Sequence, residues 1–394
     1  MKSRNIKTDA RRWFHDPKKR AWFFQFLILF FMVLFLTFIV KNTQVNMAKQ
    51  NIASGFGFLS QEAGFEISES IIEYWADDTY RKALWVGLLN TFKVAVIGNI
   101  LALFLGVFIG ILRISPNWIL KTVCSFYIEI TRNVPLLLQL LFWYAMFTEV
   151  FPPVREAWSF RDSFFLSQRG FYFPTIEFSS SGEILFFSSF LLAIILCLFL
   201  FSLEKKKFCK RETSYNRFLL FLPVILLPLF TFIAFGIEVK VEYPKLGGFN
   251  FMGGSSVSPE FFSLMIGLVF YTAAFNAEIV RAGILSIPKG QWEAGSSLGL
   301  SRFQVLKSIV LPQSKKVIIP PLISQILNLI KNSSLAVGIG YPDFVAVANT
   351  TMNQTGQAIE AVLLIMIVYL IFSLTTSFSL NLYNKRFIKQ GARS

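Results

Sequence analysis

Charged side chains inside long apolar stretches are the residues of this sequence best placed to do chemistry. Glu129 is followed three residues later by Arg132, and Glu278 is followed at the same spacing by Arg281. Because residues three apart share one helix face, each pair predicts an ion pair within its own helix. An ionisable group inside a membrane is costly unless it is paired or hydrated. Two interpretations are open: the arginines only extend to the membrane surface, or the pairs exchange partners between helices and form an inner gate.

A second polar group lies along the apolar stretch 317–340, where contact with lipid would be costly. Its members are Asn328, Lys331, Asn332, Ser333 and Ser334. Since a cation with amide and hydroxyl donors suits a carboxylate ligand, they predict a helix that loosens beside a substrate path. The alternative is that small polar side chains bind helices to one another. Lys93, deep in another apolar stretch, either lines the same hydrated path or extends to the surface.

Catalytic and metal-binding patterns of the usual kinds are missing from the sequence. It contains one histidine, His15, and three cysteines whose spacing indicates neither a disulfide framework nor a zinc site. It contains no Gly-x-x-x-x-Gly-Lys-Ser/Thr motif, so ATP binding through a P-loop is excluded. We therefore predict no catalytic residue, no metal and no cofactor on this chain.

The composition indicates a membrane protein with many spans. Of 394 residues, 54% are hydrophobic and 46 are phenylalanine. The net charge of +15 comes from short basic runs beside apolar stretches, which favours a membrane surface over nucleic acid. Eight spans are predicted, over residues 21–40, 84–112, 122–147, 184–203, 218–237, 261–285, 317–340 and 359–383. About two thirds of the 38 Lys and Arg residues then lie on one side, which predicts that both termini are cytoplasmic.

The segments between spans carry two further predictions. Acidic residues dominate 41–82, and within them residues 66–74 predict a short amphipathic helix on the outer surface. Aromatic residues are frequent in 149–183, which is typical of a segment that lies in the membrane interface.

Residues 286–316, between the sixth and seventh spans, form an unusually long polar connection that we call the 286–316 segment. It contains Glu293-Ala294-Gly295, then Gly299, then Ile309-Val310-Leu311-Pro312. Gly299 predicts a turn, because glycine tolerates a left-handed backbone. Pro312 predicts that the following helix cannot run straight back. Glycine at position 295 weakens a helix by roughly 1 kcal/mol relative to alanine.

This spacing resembles the Glu-Ala-Ala loop of the permeases of ABC importers. Residues 87–91, 129–139, 277–283 and 329–335 are similar to the polar amino-acid permeases of the histidine-permease family. The extra N-terminal span, the acidic outer segment and the insertion at about 149–260 resemble the general L-amino-acid permease subgroup. That subgroup includes systems for glutamate, glutamine, aspartate and asparagine.

The resemblance implies an all-α membrane protein of the type I ABC importer class. Spans 2, 3, 6, 7 and 8 would form a five-helix core within a transmembrane domain at 84–388, and residues 1–83 would be an N-terminal addition. The residues implied to couple this chain to an ATPase are Glu293, Ala294, Gly295, Gly299, Ile309, Leu311 and Pro312.

The resemblance also implies the surroundings of the chain. The permease would lie in the cell inner membrane and carry L-amino acids by alternating access. Its partners would be ABC ATPase subunits that hold ATP and magnesium, a second homologous permease subunit and a periplasmic amino-acid-binding protein. A transporter driven by an ion gradient is the alternative, and a membrane-embedded enzyme is disfavoured because clustered His, Cys and acidic residues are scarce.

Overall fold

The computed structural model describes residues 17–49, 54–178, 185–186, 188–197, 200, 222–235 and 239–391. The helices among them are α1 (Pro17–Lys49), α2 (Tyr80–Leu112), α3 (Trp118–Asn133), α4 (Leu136–Ala145), α5 (Ser188–Cys197), α6 (Leu222–Ala234), α7 (Pro259–Leu285), α8 (Lys289–Ser297), α9 (Arg302–Val305), α10 (Leu311–Asn332), α11 (Phe344–Thr355) and α12 (Ala358–Gly391). The chain divides into a first unit, Met1–Lys93 with Pro342–Ser394, and a second unit, Val94–Tyr341.

The first unit is held together by the start of α2 and by the chain that leads into α11. The Thr91 hydroxyl accepts a hydrogen bond from Phe344 N at 2.9 Å, and Asn90 Nδ2 donates to Pro342 O at 2.9 Å. A Cβ added to Gly87 would lie 3.0 Å from Phe344 Cα, so only glycine permits this approach without displacement. The motif at 87–91 therefore positions α11 against α2.

The second unit packs α7 against α4 and α10 around a buried apolar core. Leu140, Leu264, Leu268 and Leu329 are fully buried there. Asn276 in the middle of α7 donates through Nδ2 to Ala102 O at 3.1 Å, which gives its amide nitrogen a partner within the bundle.

Five helical runs are long and apolar enough to cross a membrane, and they coincide with the first, second, sixth, seventh and eighth predicted spans. They are Arg20–Met47, Tyr80–Leu112, Pro259–Leu285, Arg302–Ile339 and Ala358–Leu382. The fourth and fifth predicted spans lie partly outside the described residues, which contain the shorter apolar helices α5 and α6. The total of eight therefore stays a prediction.

The third predicted span is not one continuous helix. Its two parts, α3 and the run that begins with α4, are bent by 104°. The break falls at Val134 and Pro135, since proline lacks an N–H and forces the residue before it out of the helical conformation. Gln139 Nε2 satisfies the broken end by donating to the carbonyl oxygens of Thr131 at 2.8 Å and Val134 at 2.9 Å.

The insertion contains antiparallel strands that the sequence did not predict. Strands β1 (Trp158–Phe160), β2 (Phe164–Ser167), β3 (Gly170–Phe173) and β8 (Ser255–Val257) form one sheet in that order, β4 (Thr175–Phe178) pairs with β5 (Val239–Glu242), and β6 (Lys245–Gly247) pairs with β7 (Asn250–Met252). The ring of Phe251 lies 4.6 Å from that of Phe165 and 4.7 Å from that of Tyr172. The aromatic residues therefore form a small core of their own. Their contact with a membrane interface stays a prediction.

The predicted amphipathic helix at 66–74 is wrong. The chain there is extended and bent, and long-range contacts replace helical hydrogen bonds. Asn90 Nδ2 donates to Glu69 O at 2.7 Å, and Lys93 Nζ lies 2.5 Å from Glu69 Oε1. Tyr74 donates its hydroxyl to Phe65 O at 3.1 Å. These tertiary contacts outweigh the helical periodicity of a short segment.

The stability of the first unit should depend on pH through Asp343. This carboxyl caps α11 by accepting from Ala346 N at 2.8 Å, and burial raises its pKa from 3.8 to about 7. The folded state then binds the proton more tightly than the unfolded state, so stability falls as pH rises from about 4 through about 7. The loss of folding stability is at most a few kcal/mol, because each unit of pKa change corresponds to about 1.4 kcal/mol.

Asp343→Asn keeps the acceptor oxygen and removes the titration. Between pH 5 and pH 8 the thermal midpoint of the purified variant should therefore decrease less than that of the wild type. Asp77→Asn, at an exposed acid of the same unit, is the control and should keep the wild-type slope. A variant slope equal to wild type at Asp343 would contradict the assignment.

Candidate functional site

The 286–316 segment folds as the short helix α8, a tight turn and the start of the helical run that begins with α9. Helix α8 ends at Ser297, and Gly299 takes a left-handed backbone with φ of 77°. Gly299 N donates to Ser296 O at 2.9 Å and Leu300 N donates to Gly295 O at 3.3 Å. Ser301 and Gln304 then form a reciprocal capping box that starts α9. The predicted turn at Gly299 is confirmed, with the glycine conformation that ends many helices.

Gly295 is buried between α8 and the helical run that follows it. A Cβ at this position would lie 2.8 Å from Val305 Cγ2 and 3.0 Å from Ile309 Cδ1. The glycine therefore has a packing role that the sequence did not reveal, because the small residue lets the two arms of the turn touch. Ile309 and Leu311, two of the predicted coupling residues, are half-buried in the same apolar cluster.

The prediction that Pro312 stops the following helix from running straight back is wrong. A continuous helical run extends over Arg302–Ile339, and Pro312 lies in the first turn of α10. The residues before it, Leu306–Val310, form a π-helical turn. This wider turn accommodates the missing N–H and the bulk of the proline ring, so the chain continues.

The tip of the turn presents two large apolar side chains to solvent. Leu298 is 78% exposed and Phe303 is 68% exposed, while Glu293 and Ala294 are exposed on the outer face of α8. Exposed apolar residues at the end of a polar helical hairpin are typical of a binding surface. The sequence did not indicate either residue, although each lies within four residues of Gly299.

The same apolar cluster connects the 286–316 segment to the ends of three long helices. Val305 and Val310 are fully buried in it, with Ile284 of α7 and Ile318 of α10. Ile111 at the end of α2 packs on the same cluster. Close-packed apolar side chains therefore join the hairpin to α2, α7 and α10.

Glu278 is the centre of an ion-pair network close to this cluster. Arg281 Nη2 lies 2.5 Å from Glu278 Oε1, and Arg281 Nε donates to Oε2 at 3.0 Å. Arg113, in the turn after α2, pairs with Oε2 of the same carboxylate and donates through Nε to Ser125 Oγ of α3 at 3.0 Å. The predicted pair within α7 is confirmed, and Arg113 is a partner that the sequence did not indicate.

Glu129 and Arg132 do not reproduce that arrangement. Among the described residues no ion pair joins them; Glu129 is exposed, and Arg132 Cζ lies 5.0 Å from the ring centroid of Phe275. The predicted pair is wrong, because α3 ends one residue after Arg132 and its guanidinium stacks on α7 instead. The inner gate itself stays a prediction.

The predicted substrate-path residues lie where α10 changes its helix type. The α-helix ends at Asn332, and Ser333–Ile339 is a 3₁₀-helix, so the chain tightens where loosening was expected. Ser333 donates its hydroxyl to Ile330 O at 2.8 Å and Ser334 donates to Lys331 O at 2.7 Å. Asn328 and Lys331 have exposed side chains. Lys93 lies in the first unit, where it pairs with Glu69.

Similarity to known proteins extends over most of the chain. Residues 102–389 match the family described as "Binding-protein-dependent transport system inner membrane component". The chain is 44% identical to the general L-amino acid transport system permease protein AapQ of Rhizobium johnstonii, over 94% of this chain and 93% of that protein. It is 37% identical to the glutamate/glutamine/aspartate/asparagine transport system permease protein BztB of Rhodobacter capsulatus, over 94% of each. A crystal structure of an amino acid ABC transporter with histidines covers 78% of this chain at 20% identity, with a TM-score of 0.47.

The ion pair between Arg113 and Glu278 should show a measurable coupling energy. In a double-mutant cycle of thermal stability, Arg113→Gln with Glu278→Gln should give about 0.5–3 kcal/mol, as expected for groups in one network. The matched cycle of Arg132→Gln with Glu129→Gln should give a value near zero. Equal coupling in the two cycles would contradict the geometry described above.

Gly295→Ala should destabilise the 286–316 segment although alanine favours a helix by about 1 kcal/mol. Overpacking against Val305 and Ile309 costs roughly 1–3 kcal/mol, so the thermal midpoint should fall. Val305→Ala added to Gly295→Ala should recover part of the loss. Gly290→Ala is the control, since a Cβ there meets nothing within 4 Å; it should be neutral or stabilising. A fall in both glycine variants would argue against close packing as the cause.

Proposed function

Because the chain belongs to the family of binding-protein-dependent transport system inner membrane components, we propose that it is the permease subunit of an ATP-driven importer of L-amino acids. It is a multi-pass membrane protein and a transporter subunit, not an enzyme. The observation that carries the proposal is the hairpin at the 286–316 segment. Its tip is exposed, and its base packs against the ends of long apolar helices. The two sequence relatives support amino acids as the class of substrate.

The energy for transport comes from a separate ATPase chain, since this sequence has no P-loop. ATP and magnesium bind on that partner, and this chain contributes no cofactor. Leu298 and Phe303 enter an apolar groove of the ATPase, with Glu293 on the face beside them. Large apolar side chains in the centre of an interface supply most of its binding energy. Gly299, between the two anchors, fixes the angle at which they are presented.

Movement of the ATPase reaches the transport path through packing and charge. The hairpin pushes on α7 and α10 through Val305 and Ile318, which are buried together. Arg113 and Arg281 hold Glu278 in the present state, and a shift of α2 relative to α7 separates the Arg113 contact. In the inner gate, Glu278 then exchanges one arginine partner for another. Arg113 and Arg132 are the two cations that compete for its carboxylate.

The remaining parts of the importer follow from the same proposal. A second homologous permease subunit completes the path, and a periplasmic amino-acid-binding protein delivers substrate at the opposite face. Both termini are cytoplasmic. The polar residues at the end of α10, from Asn328 to Ser334, offer donors for a substrate carboxylate when the helix rearranges.

The test is uptake by proteoliposomes that contain this chain with its partner permease, ATPase and binding protein. Leu298→Ala combined with Phe303→Ala should lower ATP-driven amino-acid uptake and ATPase co-purification at least tenfold, since losing apolar anchors costs about 2 kcal/mol or more. Phe249→Ala is the matched control, because this phenylalanine is 82% exposed but lies in the insertion.

If this chain alone supported uptake driven by an ion gradient, the proposal would be wrong and the protein would be a secondary transporter. Undiminished uptake and ATPase binding in the Leu298 and Phe303 variant would remove the hairpin from the coupling path. An equal loss in the Phe249 variant would attribute the effect to general damage and equally contradict the assignment.

A further inference from the structure

An apolar groove of about 400 Å³ opens on the first unit between α2 and α12. Leu84 and Leu88 line it from α2, and Leu364 and Val368 line it from α12. Both helices are long and apolar enough to span a membrane, which favours hydrocarbon over water beside the groove. Trp85, also in its wall, is 56% exposed. The groove is therefore accessible from the side on which lipid lies.

One cation, Arg81, lies at the end of this otherwise apolar lining. It is the second residue of α2, so its side chain is at the membrane boundary, where a guanidinium is favourable. The adjacent Lys82 pairs with Asp78 at 2.7 Å. Arg81 is exposed and makes no ion pair or hydrogen bond within the described part of the chain. A cation without a protein partner beside a hydrocarbon slot suits a ligand with an anionic head and an apolar tail.

We propose that this groove binds one acyl chain of an anionic phospholipid, whose phosphate is held by Arg81. A guanidinium forms paired, charge-assisted hydrogen bonds with phosphate oxygens, which gives the head group a defined position. Leu88, Leu364 and Val368 then contact the tail over about two helical turns of α2 and α12. Trp85 lies one turn below Arg81, at the depth where aromatic rings favour the interface.

Charge distinguishes lipid from the other apolar occupants that the chain offers. Helix α1 is apolar and largely exposed, but it contains no Asp or Glu, so it brings no counter-charge to Arg81. A second copy of the chain would present the same arginine, which has no ion-pair partner among the residues that the structure describes. Of these three occupants, the anionic phospholipid is the one that brings an anion for the guanidinium as well as an apolar chain for the slot.

The experiment measures lipid retained by the full chain in its purified complex, after equilibration with mixed phosphatidylglycerol and phosphatidylcholine vesicles and extraction in mild detergent. Native mass spectrometry gives the ratio of the two lipids per complex. Arg81→Gln should lower the preference for phosphatidylglycerol at least threefold, and Arg81→Lys should keep part of it. Lys82→Gln is the matched control: it removes a neighbouring cation that is already paired, and it should leave the ratio unchanged.

A second variant tests the slot independently of the charge. Leu364→Trp fills the groove and should lower the retention of both lipids while the thermal midpoint stays within a few degrees of wild type. An unchanged ratio in Arg81→Gln, or an equal fall in Lys82→Gln, would overturn the proposal.

Cysteine cross-linking in native membranes tests the competing occupants. Trp85→Cys paired with a cysteine on α1 should give little disulfide, and Trp85→Cys alone should give few dimers. Quantitative formation of the first product would assign the groove to α1, and of the second to another copy of the chain; either result would overturn a lipid site.

Discussion

A carboxylate among membrane helices is costly unless it is paired or hydrated, so the protein has to supply partners for it. Glu278 meets this requirement with two arginines, Arg281 on its own helix and Arg113 at the end of α2. Arg113 also donates to Ser125, so the ends of α2, α3 and α7 are joined through one charge. If the Arg113 contact were lost, Glu278 would keep Arg281 as its partner, so Arg113 is the residue that ties α7 to the end of α2.

The apolar cluster beneath the 286–316 segment works at the same ends of the helices. Val305 and Val310 are fully buried there, and Gly295 allows the two arms of the hairpin to meet without a gap. Because close-packed side chains transmit displacement with little compression, the hairpin and the helices below it are packed as one body at this point. The charged network and the apolar cluster are thus the two means by which a force applied at Leu298 and Phe303 would reach α7.

Irregular turns change the direction or the winding of the long helices. Pro135 breaks the third predicted span into two helices bent by 104°, and Gln139 satisfies the carbonyl groups that the break exposes. Before Pro312 a π-helical turn absorbs the proline, and α10 continues to a 3₁₀ segment at Ser333–Ile339. Each irregularity replaces lost backbone hydrogen bonds locally, as a membrane environment requires.

The sequence by itself determined the class of the protein, five of its membrane-crossing helices, the turn at Gly299 and the pairing of Glu278 with Arg281. These depend on composition, on runs of apolar residues and on spacings of three or four residues, all of which act over short distances along the chain. Only the tertiary structure decided that Arg113 joins Glu278, that Arg132 stacks on Phe275, that Gly295 is needed for packing and that residues 66–74 are not helical. Those outcomes depend on which distant residues meet. Local propensity is worth less than about 1 kcal/mol per residue, and a network of half-buried ion pairs or a close-packed contact can exceed it.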